Sequence, residues 1–175
     1  MSFITQPYED SENGGLYHVM SEDFTRIIDS DKHAEDQFNE ARISVIGAMI
    51  SHDPESIAEA EQSVERVIAR YEDKTHGGYF AKTDRQWRII DRHKSLRATD
   101  GIFGILMHLY EVSKKDTCLL KAFDFLDCAV TRAWDDGHGG FFTRYEENWT
   151  PAAGTKDLAT QAGMLQHMHG AWKDG

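Results

Sequence analysis

The feature that most constrains the fold of this chain is a pair of adjacent glycines that recurs at a nearly constant spacing. The pairs begin at Gly14, Gly77 and Gly139, so successive pairs are 63 and 62 residues apart. After each pair come an aromatic residue, a second aromatic residue and a lysine at matching positions (Tyr17, Phe80 and Phe142; Phe24, Trp87 and Trp149; Lys32, Lys94 and Lys156). Such periodic self-similarity is typical of one supersecondary unit stacked on copies of itself.

Between the glycine pairs, the apolar residues follow the spacing of two helices per repeat. In the second repeat, Ile102, Leu106 and Leu109 lie on one face of a first helix. Asp116 and Thr117 interrupt that pattern, and a second amphipathic stripe follows them. In the first repeat the corresponding segments run from Lys32 to Ile50 and from Ile57 to Tyr71, with a break at 51–54. The segment after each glycine pair alternates enough to form a short β-hairpin.

The distribution of polar residues predicts how these helices are arranged. The first helices carry polar residues on a face that a core helix would keep apolar, whereas the second helices are charged opposite their apolar stripe. The sequence therefore predicts an all-α protein of repeated helical hairpins, arranged as part of an α/α toroid with first helices inside and short β-hairpins at one end. The predicted organisation is a single domain, 1–175, with repeats 10–71, 72–134 and an incomplete 135–175.

The composition of the chain limits its possible binding partners and its cellular compartment. The net charge of −11 disfavours nucleic acid and anionic membrane surfaces, which repel an acidic protein. No apolar run approaches the roughly eighteen residues of a membrane span, and the N-terminal residues do not resemble a signal peptide. Cys118 and Cys128 are too far apart along one predicted helix to form a disulfide, so we expect reduced thiols and a cytoplasmic location.

The repeated motif resembles the N-acylglucosamine 2-epimerase family, with its relatives the mannose isomerases and cellobiose 2-epimerases. The resemblance is carried by Asp135 to Phe142, by Trp149 to Pro151, and by Lys156 to Gln161; Asp73 to Phe80 with Lys94 is nearly as good a match. It implies a toroid of six helical hairpins, of which this chain would supply about half. It also implies sugar epimerase or isomerase chemistry, which removes a proton next to a carbonyl and requires no cofactor.

Seven residues are predicted to bind a sugar substrate at the hairpin end of the helices. They are the three lysines, two glutamines five residues after a lysine, and two turn tryptophans (Lys32, Lys94, Lys156, Gln37, Gln161, Trp87 and Trp149). Tryptophan rings stack on sugar faces, and loops on a rigid scaffold commonly carry binding groups. The alternative is a structural role for these residues. The lysines would then be bound by Asp29, Asp31, Asp91 and Asp157 or by loop carbonyls of the adjacent repeat, and each aromatic ring would pack onto its neighbouring helix.

His33 and His93 adjoin two of the lysines and are the candidate catalytic bases. A neighbouring cation lowers the pKa of an imidazole and keeps it neutral near pH 7, as a general base requires. The alternative is that both are ordinary surface histidines near a helix start. His76 and His138 precede glycine pairs and are interpreted as turn residues, so no metal site is predicted.

Together these patterns predict a carbohydrate-binding protein with cofactor-independent epimerase or isomerase activity. A catalytically inactive partial toroid that acts as a binding or assembly module is the alternative. The predicted partners are a small sugar and a second copy of the chain, because the ends of a partial toroid leave inner helices uncovered. Leu158 and Leu165 belong to one such uncovered apolar stripe, and a two-fold dimer would cover both ends.

Overall fold

The computed structural model describes residues 6–99 and 101–174. The helices are α1 Ala34–Ser51, α2 Pro54–Tyr71, α3 Leu96–Thr99, α4 Gly101–Ser113, α5 Asp116–Ala133 and α6 Leu158–Asp174. The strands are β1 Val19–Met20, β2 Ile27–Asp29, β3 Lys32–His33, β4 Lys82–Thr83 and β5 Ile89–Asp91. This helix-rich fold with small sheets agrees with the expected helical hairpins. Their arrangement as part of an α/α toroid stays a prediction. None of the helices in the described ranges has the length and apolarity needed to cross a bilayer.

The turn between α1 and α2 shows how the sequence ends one helix and begins the next. His52 adopts a left-handed conformation (φ 55°), and its N–H donates to the Ala48 carbonyl. The Asp53 side chain then accepts a hydrogen bond from the Ser56 N–H at 2.8 Å, which satisfies a free donor of the first turn of α2. Pro54 follows at the first helical position, where a missing N–H carries no cost. The predicted break at 51–54 is confirmed.

The hydrophobic core lies between the first and second helices of the repeats. Helix α1 packs against both α2 and α4, and α4 packs against α5. The buried side chains of α2 recur every three or four residues and face this core, whereas the rest of the helix is solvated. On α4, by contrast, Ile102, Phe103, Ile105, Leu106 and Leu109 are all buried, because this helix is covered from several sides. This arrangement is consistent with first helices inside and second helices outside.

Short antiparallel pairings connect each repeat to the next. β1 pairs with β2 inside the first repeat, whereas β3 of the first repeat joins the β4–β5 hairpin of the second. Lys32 lies opposite Thr83 in that sheet. Lys94 makes the equivalent link one repeat later, since its N–H donates to the Tyr145 carbonyl at 2.8 Å and its carbonyl accepts from the Tyr145 N–H at 2.9 Å. Every hairpin after the first is therefore anchored to the preceding repeat.

Candidate functional site

The three repeated lysines bind the glycine loops, which we define as residues 10–15, 73–78 and 135–140. Lys32 Nζ lies 3.2 Å from Asp10 Oδ2 and donates to the Gly14 carbonyl at 2.5 Å. Lys94 Nζ makes the same two contacts with Asp73, at 2.6 Å, and with Gly77, at 2.5 Å. In the third repeat, Lys156 Nζ binds Asp135 Oδ2 and the Gly139 carbonyl. Each ammonium thus joins the first residue of its own glycine loop to the first glycine of the adjacent pair.

The aspartates predicted as structural partners of the lysines, namely Asp29, Asp31, Asp91 and Asp157, were the wrong ones. The carbonyl partners come from the lysine's own repeat rather than from an adjacent one. The reason is the positive φ of the loop glycines, between 70° and 78°, which closes each loop tightly around its aspartate. Lys32 and Lys94 are 0% and 1% exposed, so their ammonium groups are occupied by the scaffold. This burial supports the structural role for these two lysines.

The two predicted glutamines are bound to the backbone that follows the glycine pairs. Gln37 Oε1 accepts from the Leu16 N–H at 3.0 Å, and Gln37 Nε2 donates to the Leu16 carbonyl at 2.8 Å. Gln161 makes the same pair of hydrogen bonds with Phe141, at 2.9 and 2.7 Å. An amide side chain that makes both hydrogen bonds to one backbone residue has a structural role. The hydrogen bonds therefore attach the start of α1 and of α6 to the loop of the same repeat.

Trp87 and Trp149 cover the glycine loop of the preceding repeat. Trp87 Nε1 donates to the Asn13 carbonyl at 2.8 Å, and Trp149 Nε1 donates to the His76 carbonyl at 3.0 Å. The ammonium groups of Lys32 and Lys94 lie 4.9 and 5.2 Å from the centroids of these rings, within cation–π range. The geometry supports a packing role for both rings. The sequence predicted sugar binding by these rings, with packing onto the neighbouring helix as the alternative. In the structure the surface that each ring covers is the glycine loop of the preceding repeat.

The buried ion pair of the second glycine loop predicts an acid-sensitive fold. Burial would raise the pKa of Asp73, but hydrogen bonds from Lys94 and from the backbone N–H groups of His76 and Thr75 outweigh it and lower the pKa to about 2. A carboxyl group with a lowered folded pKa stabilises the fold above its unfolded pKa, and the contribution is lost as the pH falls towards the folded value. Burial lowers the pKa of Lys94, but the ammonium stays charged throughout this acid range.

We therefore expect about 2 kcal/mol of stability to be lost through Asp73 between pH 4 and pH 2. Urea unfolding of the wild type and of Asp73→Asn at several pH values across this range measures the effect. The gap between the two proteins should narrow as the pH falls. A gap that stays constant would show that Asp73 has an ordinary pKa.

His33, a predicted base, forms a stacked pair with a second histidine. The rings of His18 and His33 are nearly parallel, with centroids 3.6 Å apart. His18 Nδ1 lies 2.7 Å from Asp36 Oδ2, and His33 Nε2 lies 3.9 Å from Asp29 Oδ2. His33 Nε2 is buried and has no hydrogen-bond partner. The side chains of His18 and His33 are 36% and 32% exposed, so the two rings are about equally open to solvent.

The pKa of His33 is shifted in the predicted direction for a different main reason. Burial lowers it most, and the neighbouring His18 and then Lys82 lower it further. The predicted cation, Lys32, is bound to the glycine loop instead. This lowered pKa favours a neutral His33 at pH 7.

The possible ligand atoms of His18, Asp29 and His33 lie within 4.8 Å of one another, a spacing compatible with a site for one metal ion. The lone pair of an imidazole nitrogen lies in the plane of its ring, and the two rings here are inclined by only 9°. Parallel planes that are separated by the stacking distance do not direct two lone pairs to one point. The observed arrangement therefore favours a stacked imidazole pair over a shared metal ion.

His18 is a candidate that sequence analysis missed. It stands three residues after Gly15, where the other repeats have Ala81 and Thr143. His33 follows Lys32, where the other repeats have Ser95 and Asp157. The contacts of the lysines with the glycine loops recur in all three repeats, whereas the histidine pair occurs only in the first. Aligning the repeats and searching for polar residues that do not recur would have identified it.

His93, the second predicted base, lies in a network of ion pairs between hairpins. Its Nδ1 is 2.7 Å from Asp91 Oδ1, and its Nε2 is 3.3 Å from Glu146 Oε2. Arg144 binds the other oxygen of Asp91 at 2.9 Å. Both ring nitrogens of His93 therefore face carboxylates. Of the two predicted bases, His33 is the one that stacks on another histidine.

Solved structures of sugar-converting enzymes share this fold. Cellobiose 2-epimerase from Spirochaeta thermophila DSM 6192 superposes with a TM-score of 0.79 at 18% identity, over 97% of this chain and 45% of that one. The enzyme from Bacillus thermoamylovorans B4167 gives 0.80 at 14% identity, over 97% and 46%. A D-mannose isomerase gives 0.64 at 15% identity, over 79% and 37%. At these identities the likeness shows the fold alone, and the chain spans less than half the length of these relatives.

The sequence itself also matches a family pattern. No curated protein sequence matches the chain significantly. A family model described as N-acylglucosamine 2-epimerase (GlcNAc 2-epimerase) matches residues 1–168, which is nearly the whole chain. The matched range includes all three glycine loops and the lysines bound to them. The chain belongs to the N-acylglucosamine 2-epimerase family.

Proposed function

We propose that this sugar epimerase- or isomerase-like chain binds a small sugar beside the His18–His33 pair and moves a proton there. The family match and the shared fold support the reaction class. The relatives are named for reactions of cellobiose, of mannose and of N-acylglucosamine. Epimerisation or isomerisation of such sugars requires a base that removes a proton next to a carbonyl and an acid that returns one.

The observation that carries the proposal is the contact between His18 and Asp36. A carboxylate 2.7 Å from Nδ1 holds the Nδ1–H tautomer of a neutral imidazole and leaves Nε2 as the acceptor. The same contact stabilises the imidazolium that forms when Nε2 takes up a proton. Because His18 is 36% exposed, a sugar in solution can reach it. This is the arrangement that a general base needs.

The stacked His33 and the nearby Asp29 support this base. A neutral His33 does not repel a proton taken up by His18, and burial lowers the pKa of His33. The unpaired Nε2 of His33 and the half-buried carboxylate of Asp29 provide polar groups beside the exposed ring. In this proposal His18 replaces His93 as the second histidine of the site, and His33 acts as a positioning residue.

The proposal predicts exchange of the sugar C2 proton with solvent. The chain is incubated in D2O with mannose, glucose, cellobiose or N-acetylglucosamine, and loss of the C2 proton signal is followed by NMR. We expect His18→Gln to slow exchange by about 100-fold or more, the usual contribution of a general base. His138→Gln is the matched control, because His138 is 89% exposed and belongs to another repeat.

Two outcomes would contradict the proposal. Equal exchange rates for the wild type and His18→Gln would exclude His18 as the base. No exchange and no saturable binding with any of the four sugars would favour the inactive binding or assembly module. The covered state of the turn tryptophans supports that second candidate, because rings packed on glycine loops are not free to stack on a sugar.

A further inference from the structure

The first two glycine loops are covered so closely that only glycine fits beneath the tryptophan rings. A Cβ on Gly15 would lie 2.6 Å from the ring of Trp87, and a Cβ on Gly78 would lie 2.5 Å from the ring of Trp149. The lysine and aspartate beneath each ring are consequently buried. Side-chain exposure is 0% for both Lys32 and Asp10, and 1% and 3% for Lys94 and Asp73.

The third glycine loop has no such cover among the side chains that the structure describes. A Cβ on Gly140 would meet Gln161 and Lys156 of its own repeat, and no aromatic ring from a following turn. Lys156 and Asp135 are 24% and 14% exposed, far more than their counterparts in the first two repeats. This loop therefore presents a binding surface for an aromatic turn, with glycine below and a lysine ammonium beside it.

Phe24 is an aromatic turn residue that covers no glycine loop among the residues that the structure describes. It occupies the position of Trp87 and Trp149, and its φ of 57° matches their 67° and 69°. Its N–H donates to the Ser21 carbonyl at 2.9 Å, which closes the same turn. Yet the residue is 51% exposed and meets the Tyr8 ring only edge-on.

The first helices of the three repeats, α1, α4 and α6, show the same pattern. The middle helix, α4, is covered, whereas α1 and α6 carry exposed apolar side chains. On α1, Ile43, Ile46 and Ile50 are 46%, 45% and 77% exposed, and on α6, Leu158 and Leu165 are 84% and 62% exposed. Helix α4, which lies between them in the chain, exposes no large hydrophobic residue. If exposed apolar side chains faced a solvent-filled centre, α4 would carry such side chains too. They mark instead the faces on which a further inner helix would pack.

We propose that the 175-residue chain binds a second copy of itself, with Phe24 of each copy packed on the glycine loop 135–140 of the other. The exposed face of α6 then packs against the exposed face of α1 of the partner, as α4 packs against α1 within the chain. Both contacts are equivalent under one two-fold axis, so the assembly closes. One copy spans 45% of the Spirochaeta thermophila enzyme, so two copies amount to nearly one whole relative. The proposal does not depend on the sugar chemistry.

Sedimentation equilibrium at micromolar concentrations tests the assembly. We expect the wild type at twice the 19.9 kDa mass of the monomer. Phe24→Asn, in which asparagine tolerates positive φ, and Ile46→Asp should each weaken dimerisation at least tenfold. Leu120→Asp is the matched control, since Leu120 is 64% exposed on the outer helix α5. Circular dichroism verifies that each variant is folded. We expect the variants to fold, because the substituted side chains are exposed.

A photo-crosslinking phenylalanine analogue at position 24 tests the contact itself. Mass spectrometry should find it joined to the segment 135–142 of the other copy. A monomeric wild type would overturn the proposal and would indicate a further repeat of a longer polypeptide as the occupant of the third loop. A dimer that crosslinks elsewhere, or that is as stable with Phe24→Asn and Ile46→Asp as without them, would overturn it as well.

Discussion

Replacing Asp73 by alanine is expected to lower the free energy of unfolding by about 3 to 5 kcal/mol, the usual cost of leaving one partner of a buried ion pair alone. Lys94 is 1% exposed, and without Asp73 its ammonium keeps the Gly77 carbonyl but no counter-charge at bonding distance. The N–H groups of Thr75 and His76 lose their acceptor at the same time. Equilibrium unfolding in urea measures the loss.

The third repeat provides the matched control for this experiment. Asp135→Ala removes the equivalent carboxylate, but Lys156 is 24% exposed and water can solvate it. We expect a much smaller loss of stability there, because a partly exposed ion pair contributes little. The double variant Asp73→Ala, Lys94→Met should recover part of the stability that Asp73→Ala loses. Equal losses in the two repeats would show that burial of Lys94 does not determine the energy.

Gly78→Ala is expected to destabilise the fold by about 2 to 5 kcal/mol through backbone strain and overpacking together. Gly78 has a φ of 74°, where a Cβ meets the carbonyl oxygen, and that Cβ would lie 2.5 Å from the ring of Trp149. The ring is held by its hydrogen bond to the His76 carbonyl, so it cannot move without losing that bond. Thermal or urea unfolding of the variant measures the total.

Gly14→Ala separates strain from overpacking. Its φ of 73° is nearly that of Gly78, but a Cβ at this position would have no heavy atom within 4 Å. We expect only the strain, about 1 to 2 kcal/mol. The difference between the two variants is the cost of displacing Trp149. If both lost the same free energy, the tryptophan would not be packed tightly on the glycine loop.

Much of the scaffold could be predicted from the sequence because its signals are local and periodic. Three glycine pairs at a nearly constant spacing predicted a repeated unit, and all three pairs adopt positive φ in the structure. Helical spacing of apolar residues and Pro54 after a break predicted the α1–α2 hairpin. Such features depend on the conformation of a few neighbouring residues. The expected helical hairpins and the family resemblance followed from them.

The partners of the repeated side chains were decided by the tertiary structure. Lysine pairs with an aspartate 21 or 22 residues earlier, and each tryptophan covers the loop of another repeat. The choice among 30 acidic residues cannot be made from spacing, because it depends on where folding the loop places each carboxylate. The stacking of His18 on His33 likewise requires two segments separated by a hairpin to meet. The sequence by itself thus determined the repeated unit, whereas long-range packing decided which polar groups are buried in the scaffold and which remain exposed.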